Sequence, residues 1–495
     1  MMNTSMTDPV RLRQTRLIDA VRTALGAKAV VTDPNDIAPW LDDWRGRYHG
    51  ASAAILSPDT TQGVATVVRL AGEFGVALVP QGGNTSMVGG ATPPADGSAL
   101  ILSLRRMNRI RSINPAAQLA VVEAGVILET LHDAADAQGM RFPLTLGARG
   151  SATIGGLTST NAGGTQVLRF GTMRALVAGI EAVLPDGSIY DGLAALKKDT
   201  RGYDLTQLLV GAEGTLGVIT AATLRLVPAV HDRATGWLAV ESPADALKAL
   251  RVMEAQSGSA IESFELVPKI ALDLVLKHIP GTRAPFAVVP PWLVLVDYVS
   301  PSAAAPAQAA LEDVMQCVLA AGLAQDGVVA ASEAQAEAFW RLRDSISEAE
   351  RAEGPTMAHD ISVPVDAMPG FMLHAAAQVE AAFPGVHASA FGHLGDGNVH
   401  FHVNAPPGLG GGVDAARWRA EVGEPASHMV YDLVVAAGGS ISAEHGIGQM
   451  KRHELARLSS PARMAALRAI KAGLDPHGLM NPGKLLALAE SPSAP

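Results

Sequence analysis

The spacing of apolar residues predicts both helices and strands in the first half of the chain. Leu17, Ile18, Val21 and Leu25 follow helical spacing and predict an amphipathic N-terminal helix. From about residue 50, the stretches "AAILS", "TTQGVATVVRLAGEFG" and "VALVP" predict a strand, a helix and a strand. A strand in "LAVVEAG", a helix in "VILETLHDAADAQG" and a β segment in "GVITAATLRLVP" follow. The pattern therefore indicates a βαβ unit extended by further strands.

After about residue 229 the pattern of predicted helices and strands changes. Alanine-rich helical stretches alternate with short strands such as "WLVLVDYV". The stretch "FWRLRDSISEAERAEG" predicts one helix from about 337 to 352. Glycine-rich motifs lie before residue 230 and histidine motifs lie after residue 390, so we expect the two groups on different domains.

Composition narrows the classes of protein that the chain can be. Its 495 residues are enough for two or three domains. The formal net charge is −10 and no block of Lys and Arg stands out, which argues against nucleic-acid binding. The single cysteine, Cys317, rules out an internal disulfide. No run of about 18 apolar residues is present, so no membrane-spanning helix is predicted.

Three segments rich in Gly, Ser and Thr carry almost no charge. They are "VALVPQGGNTSMVGGATPP", "PLTLGARGSATIGGLTSTNAGGTQVLRFG" and "VGAEGTLGVIT". The first contains neither GxGxxG nor GK[ST], so neither a Rossmann turn nor a Walker A loop is indicated. A glycine-rich surface loop is the simpler alternative. Three such segments together suggest backbone packed along an extended polar ligand such as a dinucleotide.

The stretch "FGHLGDGNVHFH" gathers His393, His400 and His402. "GDG" predicts a tight turn and "NVHFHV" a strand, so His400 and His402 share a strand face. A second stretch, "SAEHGIG", supplies Glu444 and His445. Two imidazoles and a carboxylate suit a divalent metal with an open position. Hydrogen-bonded histidines at an interface are the alternative, and a metal-dependent hydrolase could use the same cluster.

Arg343 and Ser347 are four residues apart and would share one face of the predicted helix. An arginine there could bind a carboxylate in bidentate fashion. A solvated face with ion pairs among Asp344, Glu348 and Arg351 is the alternative.

Six motifs occur in an order that identifies a family. "PQGGNTS", "GARGSATIGGLTSTNAGG", "GAEGTLGVIT", "GHLGDGNVHFH", "SAEHGIG" and "NPGKLL" resemble those of the FAD-linked dehydrogenases of D-2-hydroxy acids. These belong to the flavoproteins similar to vanillyl-alcohol oxidase. The resemblance covers residues from about 40 to 486 and includes D-lactate and D-2-hydroxyglutarate dehydrogenases.

The resemblance implies an α+β fold in four parts. An N-terminal helical segment (1–45) would precede a two-part FAD-binding domain of the vanillyl-alcohol-oxidase (PCMH) type (46–228). An α+β substrate or cap domain (229–445) would follow. A C-terminal helical segment (446–495) would return to the FAD domain.

The resemblance also implies which residues bind FAD. The positions that match the family's cofactor contacts are Gly82, Gly83, Asn84, Thr85, Ser86, Gly147, Ser151, Gly155, Asn161, Gly163, Glu213, Gly214, Ile219 and Asn481. Gly82 to Ser86 would hold the pyrophosphate, and Glu213, Gly214 and Ile219 would contact the adenine–ribose side. Some relatives attach the flavin through a histidine in the first loop, but "GGNTS" has none. We therefore expect non-covalent FAD.

The catalytic residues follow from the same resemblance. His393, His400 and Glu444 match its metal ligands, with Zn²⁺ as our first choice and manganese or iron next. His445 matches its catalytic base. Arg343 and Ser347 fall on its positions for the substrate carboxylate. His402 stands where relatives often carry asparagine, as a substrate contact or a further ligand.

The implied reaction is FAD-dependent oxidation of a D-2-hydroxy acid to the 2-oxo acid, with the metal assisting deprotonation. Relatives that act on D-2-hydroxyglutarate carry a lysine where this chain has Ala358, which lowers the expectation of a dicarboxylic substrate. Electron-transfer flavoprotein or a quinone is the expected acceptor. Alternatives are an oxidase that uses dioxygen, a metal-dependent hydrolase and a non-catalytic nucleotide-binding module. A homodimer is the assembly to test. We expect a cytoplasmic location with peripheral membrane association as an option, or the mitochondrial matrix in a eukaryote.

Overall fold

The computed structural model describes residues 9–300 and 305–487. The chain forms two compact units. Unit 1 comprises Met1–Gly164, Gly171–Pro228 and Glu444–Pro495, and unit 2 comprises Thr165–Phe170 and Ala229–Ala443. Each unit is therefore assembled from stretches that are far apart in sequence. The assignment of the short stretch Thr165–Phe170 to unit 2 was not foreseen from the sequence.

Unit 1 contains the first eleven strands of the chain. They are β1 (Val30–Val31), β2 (Ile55–Leu56), β3 (Ala77–Gln81), β4 (Ala99–Ser103), β5 (Ile110–Asn114), β6 (Leu119–Glu123), β7 (Met140–Arg141), β8 (Val177–Val183), β9 (Ile189–Gly192), β10 (Val218–Arg225) and β11 (Val227–Pro228). Three sheets result, in the orders β1-β2-β4-β3, β5-β6-β10-β8-β9 and β11-β7.

The first sheet contains the predicted βαβ unit. β2 and β3 both run parallel to β4, which lies between them. The intervening helix, Thr61–Phe74, begins where the Thr60 side chain accepts a hydrogen bond from Gly63 N and ends at Gly75 with φ 62°. Its buried face packs in one core with Leu17 and Val21 of the helix Pro9–Leu25. The predicted N-terminal helix is therefore confirmed.

The second sheet of unit 1 is antiparallel throughout. Its central strand, β10, is buried at every position except Arg225. This is the predicted segment "GVITAATLRLVP", which the structure divides into β10 and the short β11. The predicted strand in "LAVVEAG" is β6, and the helix predicted after it is Leu128–Asp136.

The helices of unit 1 are mostly short. They are Pro9–Leu25, Pro34–Ile37, Thr61–Phe74, Leu128–Asp136, Ile154–Thr160, Met173–Leu176, Leu205–Leu209, Arg452–Leu458 and Pro461–Leu474, with 3₁₀ turns at Ala27–Ala29 and Ala38–Trp40. Within the described parts of the whole chain, no helix has the length and apolar character needed to cross a membrane.

Unit 2 is built on one seven-stranded antiparallel sheet. Its strands are β12 (Asp232–Val240), β13 (Ile261–Pro268), β14 (Trp292–Ser300), β15 (Asp326–Val329), β16 (Thr356–Ser362), β17 (His387–His393) and β18 (Asn398–Asn404). The order is β15-β12-β14-β13-β17-β18-β16. Its helices are Val167–Phe170, Pro243–Ser257, Lys269–His278, Ala307–Ala320, Glu333–Asp344, Ile346–Glu353, Met368–Ala382, Val413–Trp418 and Glu424–Ala436, with a π-helical stretch at Arg419–Gly423.

The prediction of one helix from 337 to 352 is wrong. The structure has two helices, Glu333–Asp344 and Ile346–Glu353, separated at Ser345. Ser345 N–H closes the first helix by donating to Arg341 O and Arg343 O, and Ser345 has ψ −2°. Arg343 and Ser347 therefore lie on different helices and do not share one helical face.

Candidate functional site

Unit 1 contains a cavity of about 720 Å³. Loops from all three glycine-rich segments line it, together with Glu444, His445 and Asn481. Of the predicted cofactor positions, the structure places these on the cavity wall: Gly82, Gly83, Asn84, Thr85, Ser86, Gly147, Ser151, Gly155, Gly163, Glu213, Gly214, Ile219 and Asn481. No lysine or arginine is among the lining residues, so the donors available to an anionic ligand are backbone N–H groups and neutral side chains such as those of Asn84, Thr85 and Ser86.

The first glycine loop packs directly on the second glycine segment. A Cβ at Gly82 would lie 2.1 Å from Thr153 Oγ1, and one at Gly83 would lie 1.9 Å from Ser151 O. A side chain at Gly83 would require movement of the neighbouring backbone, and one at Gly82 would displace the Thr153 side chain. These glycines are therefore required for close packing of the two loops, and that packing exposes backbone to the cavity.

Asn161 is an exception among the predicted cofactor residues, because it does not line the cavity. It ends the helix Ile154–Thr160 in the left-handed conformation, with φ 51°. Its Oδ1 accepts hydrogen bonds from Thr172 Oγ1 at 2.9 Å and Arg174 N at 2.8 Å. The side chain thus fixes the turn after the helix, and the structure gives no support for a cofactor contact.

Glu213 lines the cavity, but its carboxylate is engaged by the backbone of the C-terminal stretch. Oε1 accepts from Ile447 N and Oε2 from Gly448 N, each at 2.7 Å. Burial raises the pKa of Glu213, and these two donors together with Lys451 and Lys484 act in the opposite direction. The structure therefore gives Glu213 a partner other than the predicted adenine–ribose contact.

Three polar atoms on the cavity wall are buried and have no hydrogen-bond partner among the described residues. They are Gln81 Oε1, Thr153 Oγ1 and Asn481 Oδ1. The amide nitrogen of Asn481 is engaged, since Nδ2 donates to Glu213 O at 2.7 Å and to Gly90 O at 3.0 Å. Buried polar atoms normally have a partner. A polar ligand in this cavity would supply one.

Glu444 and His445 also lie on the wall of this cavity, within unit 1. Both side chains are half-buried. His445 is thus placed where a group that exchanges protons with a bound molecule could act. Glu444 was predicted to bind a metal together with His393 and His400, which belong to unit 2.

In unit 2, Arg343 is bound to a buried carboxylate. Its Nε donates to Glu265 Oε2 at 2.8 Å, and Glu265 Oε1 accepts from His393. Burial alone would raise the pKa of Glu265, but the charges of His393 and Arg343 outweigh it and hold the pKa at about 2. Arg343 therefore faces an ionised partner near neutral pH. Ser347 is half-buried on the following helix.

The predicted hairpin with three histidines is confirmed. β17 and β18 pair with His393 opposite Asn398, Phe391 opposite His400 and Ser389 opposite His402. The rings of His393 and His400 lie 5.4 Å apart between centroids. His402 is buried and its Nδ1 bonds to Glu350. Burial, with the nearby charges of Arg343 and His393, lowers the pKa of His400 well below its usual range.

The predicted metal centre is not supported. Across residues 9–300 and 305–487, no group of three His, Cys, Asp or Glu side chains is arranged to hold a metal ion. His393 Nδ1 is directed to Glu265, and His402 Nδ1 to Glu350. The zinc prediction for His393, His400 and Glu444 therefore rests on the sequence alone.

Comparison with known proteins identifies the family. Residues 52–192 match the family described as "FAD binding domain", and residues 230–485 match "FAD linked oxidases, C-terminal domain". The chain belongs to the FAD-linked oxidase family. It is 37% identical to a D-2-hydroxyglutarate dehydrogenase of Xanthomonas citri pv. viticola over 99% of each chain. It is 36% identical to the mitochondrial D-2-hydroxyglutarate dehydrogenase of Bos taurus, over 92% of this chain and 81% of that protein.

The likeness to solved structures concerns the fold of this FAD-linked oxidase. The structure of p-cresol methylhydroxylase with substrate bound superposes with a TM-score of 0.72, at 16% identity, over 97% of this chain and 98% of that chain. The predicted α+β fold with a PCMH-type FAD-binding part is confirmed. The family recognised from the six motifs is confirmed as well. The chain is an FAD-linked oxidoreductase, and the alternatives of a hydrolase and a non-catalytic module are excluded.

The residues of the unit 1 cavity fit FAD. The cavity has the size of a cofactor site, is lined mainly by apolar residues and glycine, and carries buried polar atoms that lack protein partners. When bound there, FAD would lie along the glycine loops, with Gly82 to Ser86 and Gly147 to Gly156 offering backbone. The predicted cofactor positions other than Asn161 lie on the wall of this cavity, and their contacts with FAD stay a prediction.

Sequence reasoning missed some residues of this FAD site. Trp44, Gln81 and Thr153 line the cavity. Trp44 lies outside the six motifs, whereas Gln81 and Thr153 lie within motifs but were not predicted to bind the cofactor. Trp44 is 62% exposed, which is unusual for a residue of its size. A tryptophan within the loop-forming stretch "DDWRGRYHG" was a usable signal. Gln81 and Thr153 carried no signal apart from their position within glycine-rich segments.

Proposed function

We propose that this FAD-linked oxidoreductase oxidises a D-2-hydroxy acid to the corresponding 2-oxo acid with non-covalent FAD. The observation that carries the proposal is the glycine-lined cavity of unit 1, whose wall includes His445. The names of the relatives support the substrate class, because those quoted above are D-2-hydroxyglutarate dehydrogenases. FAD, when bound, supplies the acceptor for the hydride that leaves C2 of the substrate.

His445 is the proposed base. Oxidation of a secondary alcohol removes a hydride from carbon and a proton from oxygen. An imidazole can accept that proton near neutral pH. His445 is half-buried on the cavity wall of unit 1, so a bound molecule there could reach it.

Arg343 is the proposed anchor for the substrate carboxylate. A guanidinium has five N–H donors. Among the described residues, the hydrogen bonds of Arg343 use Nε alone, toward Glu265. Its two terminal nitrogens keep donors for a bidentate contact with a carboxylate. Glu265 would then hold the guanidinium in one orientation, and Ser347 and His402 are further proposed substrate contacts.

The reducing half-reaction tests this function. The purified protein should show the visible band of oxidised flavin, and anaerobic addition of D-lactate or D-2-hydroxyglutarate should bleach it. The L-enantiomers are the control and should leave the band unchanged. Acid precipitation should release the flavin into the supernatant, because the attachment is non-covalent. A colourless protein that takes up no added FAD would contradict the proposal.

Reoxidation separates a dehydrogenase from an oxidase. The relatives quoted above carry the name dehydrogenase, so we propose an electron-transfer flavoprotein or a quinone as the acceptor. Turnover with D-2-hydroxy acid should then be fast with an artificial dye and slow with dioxygen alone. Rapid hydrogen peroxide production without dye would assign the protein to the oxidases. The homodimer and the cytoplasmic location stay predictions.

The metal hypothesis has a direct test. We propose that a divalent metal, zinc first, accompanies His393, His400 and Glu444, on the strength of the family resemblance. Metal analysis of the purified protein should find about one equivalent, and H400A should lose it. If H400A changes neither metal content nor turnover, no metal acts there.

A further inference from the structure

Three sequence motifs meet at Glu213. Its carboxylate accepts from Ile447 N and Gly448 N of "SAEHGIG" at 2.7 Å each. Its own carbonyl accepts from Asn481 Nδ2 of "NPGKLL" at 2.7 Å, and the same amide donates to Gly90 O after the first glycine loop. Glu213 itself belongs to "GAEGTLGVIT". All of these residues lie in unit 1.

The stretch held by Glu213 has no regular secondary structure to support it. Residues 441–451 contain neither helix nor strand. Gly446 and Gly448 have φ values of 80° and 53°, so the backbone turns in the left-handed region at both. A Cβ at Gly446 would lie 3.0 Å from Glu213 Oε1. The turn thus wraps closely around the carboxylate, with His445 next to it in sequence.

The surroundings of Glu213 hold its carboxylate in a fixed position. Glu213 is 8% exposed, and Lys451 and Lys484, whose charges act on it, are each 3% exposed. Burial lowers the pKa of Lys484 to about 8, and Glu213 acts in the opposite direction on it. Hydrogen bonds from backbone N–H to a carboxylate in such a setting are stronger than those between neutral groups. Two of them on one carboxylate leave the turn little freedom.

We propose that Glu213 is a positioning residue, which fixes the turn at 446–448 and thereby sets where His445 stands on the cavity wall. The inference rests on the proposed function only in that His445 is taken to be the base that accepts the substrate proton. Glu213 would touch neither the substrate nor the reacting atoms. Displacement of a reacting group by about 1 Å can cost on the order of 100-fold in rate, so a loosened turn should lower turnover.

The variants E213Q and E213A test the positioning. Glutamine keeps one acceptor oxygen and alanine keeps none. Amide hydrogen exchange at Ile447 and Gly448 should therefore rise in E213Q and rise further in E213A. The matched control is E73Q, which removes an exposed carboxylate on the helix Thr61–Phe74 of the same unit. E73Q should leave both amides and turnover unchanged. Unchanged exchange at both amides in E213Q and E213A would overturn the proposal.

A double-mutant cycle of E213Q and H445A, measured by turnover, separates positioning of His445 from a general loss of stability. We expect E213Q to lower kcat roughly 10- to 100-fold while substrate KM and bound flavin change little. In the H445A background the same substitution should have little further effect, because Glu213 acts through His445. Equal losses in both backgrounds would show that Glu213 does not act through His445. If wild type and E73Q reduce no flavin with any D-2-hydroxy acid, the proposed function fails, and hydrogen exchange alone still decides the positioning. E213Q decides alone if E213A fails to fold.

Discussion

Within the described parts of the chain, the guanidinium of Arg343 donates a hydrogen bond to Glu265 through Nε alone. A substitution that keeps its charge but removes the planar group therefore tests whether the shape of the guanidinium matters. Replacing Arg343 with lysine keeps the charge but removes the planar fork that binds Glu265 and, by our proposal, the substrate carboxylate. We expect R343K to raise the KM for D-2-hydroxy acids about 10- to 100-fold, corresponding to roughly 1.5–3 kcal/mol for a hydrogen bond to a charged group. Steady-state kinetics with a dye acceptor would measure it.

The control for R343K is R341K, two residues earlier on the same helix. Arg341 is exposed and its Nη2 donates to Pro280 O. R341K should keep the wild-type KM. An unchanged KM in R343K as well would remove Arg343 from the substrate site.

Ala358 offers a second test at the scale of one residue. It pairs with His402 across β16 and β18, and it is half-buried. The family resemblance places a lysine here in enzymes that act on D-2-hydroxyglutarate. We expect A358K to lower the KM for D-2-hydroxyglutarate about 2- to 5-fold, since an exposed ion pair contributes up to about 1 kcal/mol. The KM for D-lactate, which has no second carboxylate, should not fall. A fall for both substrates would mean that the added charge acts on the shared carboxylate.

At the scale of elements, the contact between the two glycine loops leaves no room for an added side chain at Gly83. A Cβ at Gly83 would meet the backbone oxygen of Ser151 at 1.9 Å, and backbone cannot rotate away as a side chain can. We expect G83A to destabilise unit 1 by about 1–3 kcal/mol through overpacking and to lose bound flavin. The ratio of flavin to protein absorbance after gel filtration would report the loss.

The matched control is G72A, in the helix Thr61–Phe74. A Cβ at Gly72 meets nothing within 4 Å. Alanine favours a helix over glycine by up to about 1 kcal/mol, so G72A should keep its flavin and unfold at the same or a higher temperature. Equal flavin content in G83A and G72A would show that the loops can separate without cost.

Elements with strong local patterns could be predicted, and those set by distant contacts could not. The helix Pro9–Leu25 follows from four apolar residues at helical spacing, and the hairpin of β17 and β18 from "GDG" beside an alternating strand. The break at Ser345 has no such signal, because the residues on both sides continue the helical pattern. The partners of Glu213 lie 234 and 235 positions away, and no local rule pairs them. Motifs located the cavity, but they did not distinguish Asn161, which holds a turn, from residues on the wall.

At the scale of the whole molecule, unit 1 depends on the last part of the chain. Leu78 N donates to Leu479 O and Asn481 N to Leu78 O, so residues 479–481 extend along β3. Met480 is 1% exposed in the core of the unit. We expect a chain that ends after Gly478 to lose these contacts, at a cost of about 2–5 kcal/mol for the buried methionine alone, and to purify without flavin.

The control is a chain that ends after Ala487, which removes none of the contacts described here. It should retain as much flavin as the chain of 495 residues. Flavin absorbance and thermal melting of the two truncated proteins would make the comparison. A chain ending at 478 that still binds FAD would show that the C-terminal stretch is dispensable for the cavity.

The division of unit 1 into three stretches of sequence has a consequence for synthesis in the cell. A ribosome that has completed residue 443 has made all of unit 2 but has not supplied Glu444, His445 or Asn481. Unit 2 can thus fold while the chain is still growing, whereas the flavin cavity can close only after residue 481 has been made. A nascent chain therefore carries an open apolar wall for most of its synthesis. FAD can therefore be enclosed only after the stretch that contains Glu444, His445 and Asn481 has been made, and not while the glycine loops are being synthesised.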